Sequence, residues 1–351
     1  MNSEFPDPLA AQPLSEEEIS FAVKLLLDPL IPDSVKGRFL TCLHQRGETA
    51  RELAGFAHFL LSHAIRPMIR RRDEAPLLEL CGTGGDKAGL LNISTAAMFV
   101  AAGAGARVVK HGGRAVSSRC GSADVLEMMG VDLHLEPQKA GEVLDHAGCI
   151  FMLASDFHPT VAAVADLRRT LAAKGQMTIF NLLGPLLNPA LPDCQLAGIY
   201  TAAKLELYAE ALSLLGRRKA WAVHGEGFLG EDGFDEISIT GRTNGVSATG
   251  GKIERFTIHP KDLGFPRYTS GEDLIGGDAE ENARRISAIL ECQEHGAARD
   301  MIVLNAATAL HIAGFGDTLL EAVQIARESI DSGSAYKSLR LLREASQANQ
   351  N

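Results

Sequence analysis

The stretch "CGTGGDKAGLLNIST" (residues 81–95) directly follows an apolar run, "APLLEL". Glycines at 82, 84 and 85 precede Asp86, and Asn92, Ser94 and Thr95 stand where a small-residue apolar stretch begins. Glycine lets a backbone approach an anion closely and takes φ > 0, so successive N–H groups can converge on one point. Hydroxyl and amide side chains at a helix start add donors where free N–H groups and the helix dipole already favour phosphate. The spacing is neither a dinucleotide fingerprint nor a Walker A loop. Taken alone, the stretch is either a phosphate-binding loop or a structural tight turn with a helix cap.

"KHGGRAVSSRCGSAD" (110–124) repeats the device, with Lys110, two glycines, Arg114, Ser117, Ser118 and Ser122. Two such loops at successive strand ends suit a ligand with more than one anionic group. "GFDEIS" sets Asp235 beside Glu236 at the expected start of a strand. Adjacent carboxylates suit Mg²⁺, which takes a couple of them and completes its shell with water and substrate phosphates; a solvated surface turn is the alternative. Arg168 and Arg169 in "VADLRRTL" offer either a bidentate fork for a carboxylate or a solvated helix face. His111 and His158 are pocket or core histidines, without zinc-site spacing, and no Ser-His-Asp or Cys-His set has a local signature. Together these residues describe an α/β enzyme that binds a multiply phosphorylated substrate with Mg²⁺.

The elements that would position them alternate in type. "SEEEISFAVKLLLDPL" opens with Ser15 and Glu18 at capping-box spacing, and helical periodicity continues over the first 70 or so residues, with Gly47 as a stop. "RRRDEA" (71–76) is a charged joint. Beyond it, "LLELC", "RVVKH", "VDLHLE" and "CIFMLA" read as strands separated by Ala-rich helices, the rhythm of a parallel sheet covered on both faces. "QLAGIY", "AWAVHGE", "FDEISIT" and "VSATGG" read as further strands, and the chain is helical from about 278. The expected architecture is a small all-helical domain over 1–75, joined by helices from about 160–190, and a larger α/β domain over 76–351 with a mostly parallel central sheet.

The bulk properties set limits. The chain has 351 residues, 46% of them apolar, enough for a substantial core. A net charge of −10 argues against a nucleic-acid partner, which needs a dense basic surface. The 6 cysteines form no CxxC pair and read as thiols in a reducing compartment. No secretory signal pattern opens the chain and no apolar run reaches membrane-spanning length, so a cytoplasmic protein without a membrane partner is expected.

In their order, "GTGGD", "NIST", "KHGGR…SS…GSAD", "TIFNLLGPLLNP" and "DEIS" resemble the anthranilate phosphoribosyltransferase family of tryptophan biosynthesis. "GET" (47–49), "GGDAEENARRI", "LNAATAL" and "SIDSG" extend the resemblance over nearly the whole chain. It implies transfer of a 5-phosphoribosyl group from phosphoribosyl pyrophosphate to the amine of anthranilate, in a homodimer joined through the helical part. It implies that Gly82, Gly85, Asp86, Leu90, Asn92, Ile93, Ser94 and Thr95 line the phosphoribosyl pyrophosphate site from the first loop. From the second loop come Lys110, His111, Gly112, Gly113, Arg114, Ala115, Val116, Ser117, Ser118 and Ser122. Ser94, Asp235 and Glu236 would hold Mg²⁺, and Gly82, Gly113 and Arg168 would face anthranilate, with no catalytic dyad. The family's usual "KHGNR" and "HHPAM" read "KHGGR" and "FHPTV" here, so Gly113 stands in place of an Asn. A relative with a different aromatic acceptor, a pyrimidine-nucleoside phosphorylase, and a nucleic-acid-binding relative without activity are the competing readings. The retained Asp235–Glu236 pair and the negative charge oppose the last two.

Overall fold

Ser15 starts the first helix, α1 (Glu16–Leu27), by accepting the Glu18 N–H while Glu18 reaches back to the Ser15 backbone. That reciprocal cap satisfies two otherwise orphaned donors. α2 (Asp33–Arg46) stops at Gly47, whose φ of 92° leaves the helical region. A second reciprocal cap, Thr49 with Glu52, opens α3 (Ala50–Ser62). The apolar faces of these helices bury Leu26, Leu40, Leu53 and Phe56 in one cluster, together with Leu167, Leu171, Leu182 and Leu183 from residues 165–183. The structure, a computed structural model, describes residues 4–10, 12–115, 119–228 and 233–347.

A seven-stranded sheet follows: β1 (Leu77–Gly82), β2 (Arg107–Gly112), β3 (Cys149–Leu153), β4 (Cys194–Gly198), β5 (Lys219–Gly225), β6 (Thr243–Thr249) and β7 (Lys252–Ile258), in the order β3-β2-β1-β4-β5-β6-β7. Strands β1 to β5 pair in parallel, and β6 and β7 add an antiparallel edge. The chain winds outward from β1 to β3, then returns to the other side of β1 with β4. The order therefore reverses between β1 and β4, and in an open α/β sheet a ligand crevice forms at the carboxyl ends of the strands at such a point. Gly82 and Gly198 are the final residues of those two strands and are register partners.

Helix α4 (Ile93–Gly103) leaves the first glycine loop and is buried from Thr95 to Ala102. Its run of small residues fits a helix covered by both the sheet and the helices Ala297–Ile312 and Ser334–Gln347. α5 (Ser122–Met128) leaves the second loop. Two expected strands are absent. "VDLHLE" is irregular, its apolar residues packing against the core without a pairing partner. "FDEISIT" contributes only the isolated bridge Gly225↔Phe234, because its backbone runs across the ends of β4 and β5. β7 and the helix Leu205–Leu214 are additional to the expected elements. Among the described residues no helix is long and apolar enough to cross a membrane.

Candidate active site

The switch point is floored by contact between strand ends and the acidic pair. A Cβ on Gly198 would lie 1.6 Å from the Asp235 carbonyl oxygen, and one on Gly225 would lie 2.5 Å from that of Glu236. Only glycine at these two positions lets the 235–236 backbone lie on the sheet. Asn305, in the helix Ala297–Ile312, pins the next residue from below: its Oδ1 accepts the Ile237 N–H at 2.9 Å and its Nδ2 donates to the Ile237 carbonyl at 3.0 Å.

The first glycine loop then closes over the carboxylates. Gly84, Gly85 and Gly89 take φ of 69°, 86° and 64°. The Gly84 N–H donates to Asp235 Oδ2 at 2.6 Å, the Asp235 N–H donates to Asp86 Oδ2 at 3.3 Å, and the Ser94 N–H donates to Glu236 Oε1 at 3.2 Å. The structure thus brings Ser94, Asp235 and Glu236 together. Burial, followed by the negative charges of Asp86 and Glu236, pushes the Asp235 carboxyl well above its ordinary range. Burial also raises Glu236 to about 7, with Lys110 and the Ser94 N–H pulling it down. Lys110 compensates carboxylates held this way only in part. Among the described residues no group of three or more His, Cys, Asp or Glu side chains forms a protein cage for a metal. An incomplete, oxygen-only, under-neutralised shell fits Mg²⁺, which keeps waters and takes substrate oxygens.

Lys110 is buried rather than open to the cleft: its Nζ donates to the Leu80 carbonyl at 2.7 Å and to Ser94 Oγ at 3.1 Å. It fixes the Ser94 hydroxyl from beneath and supplies positive charge to Glu236. Thr95 Oγ1 donates to Ser122 Oγ at 3.0 Å, so the N-termini of α4 and α5 meet. Asp124 holds the second loop by accepting the Ala115 N–H at 2.8 Å and the Gly121 N–H at 2.9 Å. Arg114 turns outward into a two-pronged ion pair with Glu127 at 2.7 and 2.9 Å. Val116, Ser117 and Ser118 lie outside the described residues. Leu90 bridges Ile275, and Ile93 is buried in the core.

His111 packs edge-on against His158, ring centroids 5.1 Å apart. Burial lowers its pKa to about 3, with the neighbouring His158 and Lys110 adding to the effect. It is therefore neutral near pH 7. Arg168 and Arg169 separate. Arg169 pairs with Asp166 in solvent, while the half-buried Arg168 guanidinium lies over the Phe180 ring, 5.1 Å from its centroid. Burial lowers the Arg168 pKa, and among the described residues no acid offsets it. An uncompensated, partly desolvated guanidinium is suited to an incoming carboxylate.

Residues 74–336 match the glycosyl transferase family a/b domain, and residues 9–64 match that family's helical bundle domain. Anthranilate phosphoribosyltransferase of Rubrobacter xylanophilus is 42% identical over 94% of this chain and 93% of its own length. The chain belongs to the anthranilate phosphoribosyltransferase family. Among solved structures of that family, the enzyme of Thermus thermophilus superposes with a TM-score of 0.88 at 36% identity, over 99% of this chain and 100% of that one. The Saccharomyces cerevisiae enzyme in complex with PRPP and Mg superposes with a TM-score of 0.85 at 26% identity, over 97% and 96% of the two chains. Both halves of the fold, the helical amino-terminal part and the mostly parallel α/β part, are those of this family.

Sequence reasoning missed Asn305, Glu79, and Asn188, whose side-chain amide donates to the Val109 carbonyl at 2.8 Å and draws the Glu79 pKa down. The first lies in "LNAATAL", whose helical period gives no sign that one polar residue faces inward against a backbone. Glu79, on β1, is fully buried. Its position in an apolar strand run was the available signal, since acids are almost never fully buried without a partner.

Proposed function

We propose that this protein transfers the 5-phosphoribosyl group of phosphoribosyl pyrophosphate to the amine of anthranilate, releasing pyrophosphate. The observation that carries this reading is the convergence of Ser94, Asp235 and Glu236 beneath a glycine loop at the topological switch point of a chain of this family. The aniline nitrogen bonds to the anomeric carbon, the bond to pyrophosphate breaks with its electron pair going to the leaving oxygen, and the surplus proton on nitrogen passes to water. The nitrogen is already neutral, so attack needs little general-base help, in keeping with a neutral His111.

Departure of pyrophosphate is the difficult event. Asp235, Glu236 and Ser94 would hold Mg²⁺, which when bound neutralises charge on the leaving group. Backbone N–H groups of the 82–95 loop and of residues 110–115 and 119–122 stabilise the same charge from fixed positions. Arg168 receives the anthranilate carboxylate, and Gly82 and Gly113 leave room for the ring. Holding the amine in line with the breaking bond supplies the remaining acceleration. The division into 1–75 with helices of 160–190 and 76–351, the homodimer, the absence of nucleic-acid or membrane partners, and a cytoplasmic location belong to this reading.

The test is loss of anthranilate fluorescence by the purified protein with phosphoribosyl pyrophosphate and Mg²⁺, with pyrophosphate measured in parallel. Equal consumption of anthranilate and release of pyrophosphate is the expected result. Pyrophosphate released with a different aromatic amine or acid, and none with anthranilate, would overturn the acceptor assignment.

A further inference from the structure

Asn282 lies in the helix Ala279–Leu290, far along the chain from both glycine loops, and is 1% exposed. Its Oδ1 accepts the Gly277 N–H at 2.7 Å, and its Nδ2 donates to Asn92 Oδ1 at 3.0 Å. Asn92 Nδ2 in turn donates to the Cys120 carbonyl at 3.2 Å. The result is one directional chain of hydrogen bonds: Gly277 N–H, Asn282 amide, Asn92 amide, Cys120 carbonyl. It runs from the carboxy-terminal helices, through the end of the first glycine loop, into the second.

The surrounding backbone is built for this contact. The Leu91 N–H donates to the Leu274 carbonyl and the Gly276 N–H to the Gly89 carbonyl, both at 2.8 Å, so the 271–277 segment is stitched along the first loop. A Cβ on Gly276 would lie 3.0 Å from both Asn282 Oδ1 and the Leu90 carbonyl oxygen. A side chain there would push against both partners of the seam. Asp278 caps the helix by accepting the Glu281 N–H, which sets Asn282 one turn in. Each Asn amide uses its oxygen inward from residue 277 and its nitrogen toward the loops. Neither can be reversed without facing like groups against each other, and a buried polar network specifies one arrangement when its members are satisfied.

We infer that Asn282 is a positioning residue for donor binding, acting through Asn92 to fix the spacing of the two glycine loops. It reaches neither carboxylate of the acidic pair, and its contacts lie on the loops rather than beside Arg168. The inference rests on the reading that these loops grip phosphoribosyl pyrophosphate. It assigns a role to the "GGDAEENARRI" segment that the reaction itself leaves without one.

The test compares Asn282→Ala, Asn282→Asp and Asn92→Ala with the parent enzyme, alone and combined, in steady-state kinetics and in calorimetric titration with phosphoribosyl pyrophosphate and Mg²⁺. Asn282→Asp keeps the acceptor for Gly277 but cannot donate to Asn92, and as a near-isostere it decides the matter should Asn282→Ala not fold. Both variants are expected to weaken donor binding about 5- to 50-fold while leaving the anthranilate constant within about twofold. Because Asn282 acts through Asn92, the Asn92→Ala/Asn282→Ala double variant should bind the donor no more weakly than Asn92→Ala alone, a non-additivity a merely structural role would not give. Unchanged donor binding in Asn282→Asp beside a weakened Asn92→Ala would overturn the inference while leaving the loop reading intact, as would additive losses. Unchanged donor binding in Asn92→Ala would instead remove the loop reading and the inference with it.

Discussion

Gly82 and Asp235 lie so close that a Cβ on Gly82 would sit 2.2 Å from Asp235 Oδ2 and 2.7 Å from its Cγ. The glycine that ends β1 therefore defines where the first carboxylate of the acidic pair can be. Gly198 does the same for the backbone beneath it. Gly82→Ala must displace the Asp235 side chain from its bond to the Gly84 N–H. A misplacement near 1 Å at a reacting centre costs on the order of 100-fold in rate. Gly82→Ala is expected to lose about 10- to 100-fold in kcat/KM and to need more Mg²⁺ for half-maximal activity, with the thermal midpoint little changed. Steady-state rates over a Mg²⁺ series check this, and parent-like Mg²⁺ dependence would detach Gly82 from the metal residues.

Glu79 gives a pH dependence that is separate from the metal site. Burial pushes it from 4.5 to about 7, only partly offset by Asn188, Arg217, Lys110 and the His111 N–H. The ionised form is the one the fold penalises. Its contribution to stability is thus complete below about pH 4.5 and is lost as pH rises through about 7, a change of roughly 3 kcal/mol. Glu79→Gln keeps the shape without the charge. Relative to the parent, its thermal midpoint should gain several degrees between pH 5 and pH 8, read in a melting series at constant ionic strength. A difference between the two proteins that does not move with pH would place the Glu79 pKa in its ordinary range.

Much of the site was legible because its residues are consecutive. "GTGGD", "NIST" and the Asp235–Glu236 pair announce their chemistry by type and order, and the glycine loops do emerge at β1 and β2. What failed was the geometry between segments. "FDEISIT" alternates like a strand, yet Gly198 and Gly225 admit it across the strand ends instead, and its alternation comes from packing there. Lys110 looked like a phosphate contact by type, but its position within β2 turns it under Ser94. Arg114, in the adjoining loop, spends its charge on Glu127. Asn282 and Asn305 act from helices more than 40 residues beyond the acidic pair. Their periodicity is satisfied by the core, so nothing local marks either amide as turned toward a loop.

The two arginines of "DLRRTL" should behave differently. Arg168 is half-buried over Phe180 with no acid among the described residues to neutralise it, and Arg169 pairs with Asp166 in solvent. Losing a charge-assisted hydrogen bond costs about 1.5–3 kcal/mol, or roughly 10- to 150-fold. Arg168→Ala should raise the anthranilate constant by that factor while donor binding holds. Arg169→Ala should stay within about twofold, since exposed ion pairs contribute little. Equal losses of donor and acceptor binding in Arg168→Ala would make its role structural.

Gly113 stands where the family pattern carries Asn, and its surroundings leave the substitution open. Its φ is not positive, and among the described residues the nearest atom to an added Cβ, Ala154 Cβ, is 4.0 Å away. The glycine is therefore required neither by backbone conformation nor by a close neighbour. Among the described residues a Cβ can be added there without a close contact, and an Asn brings one amide to the rim on which the acceptor is proposed to sit. A neutral hydrogen bond contributes about 0.5–1.5 kcal/mol, equivalent to roughly 2- to 12-fold. Gly113→Asn should lower the apparent anthranilate constant by a factor in that range, with kcat and the phosphoribosyl pyrophosphate constant held. The measurement is an anthranilate titration at saturating donor and Mg²⁺. An anthranilate constant unchanged in Gly113→Asn would mean that the amide finds no partner on the acceptor, and a raised one would mean that it fills space the ring needs.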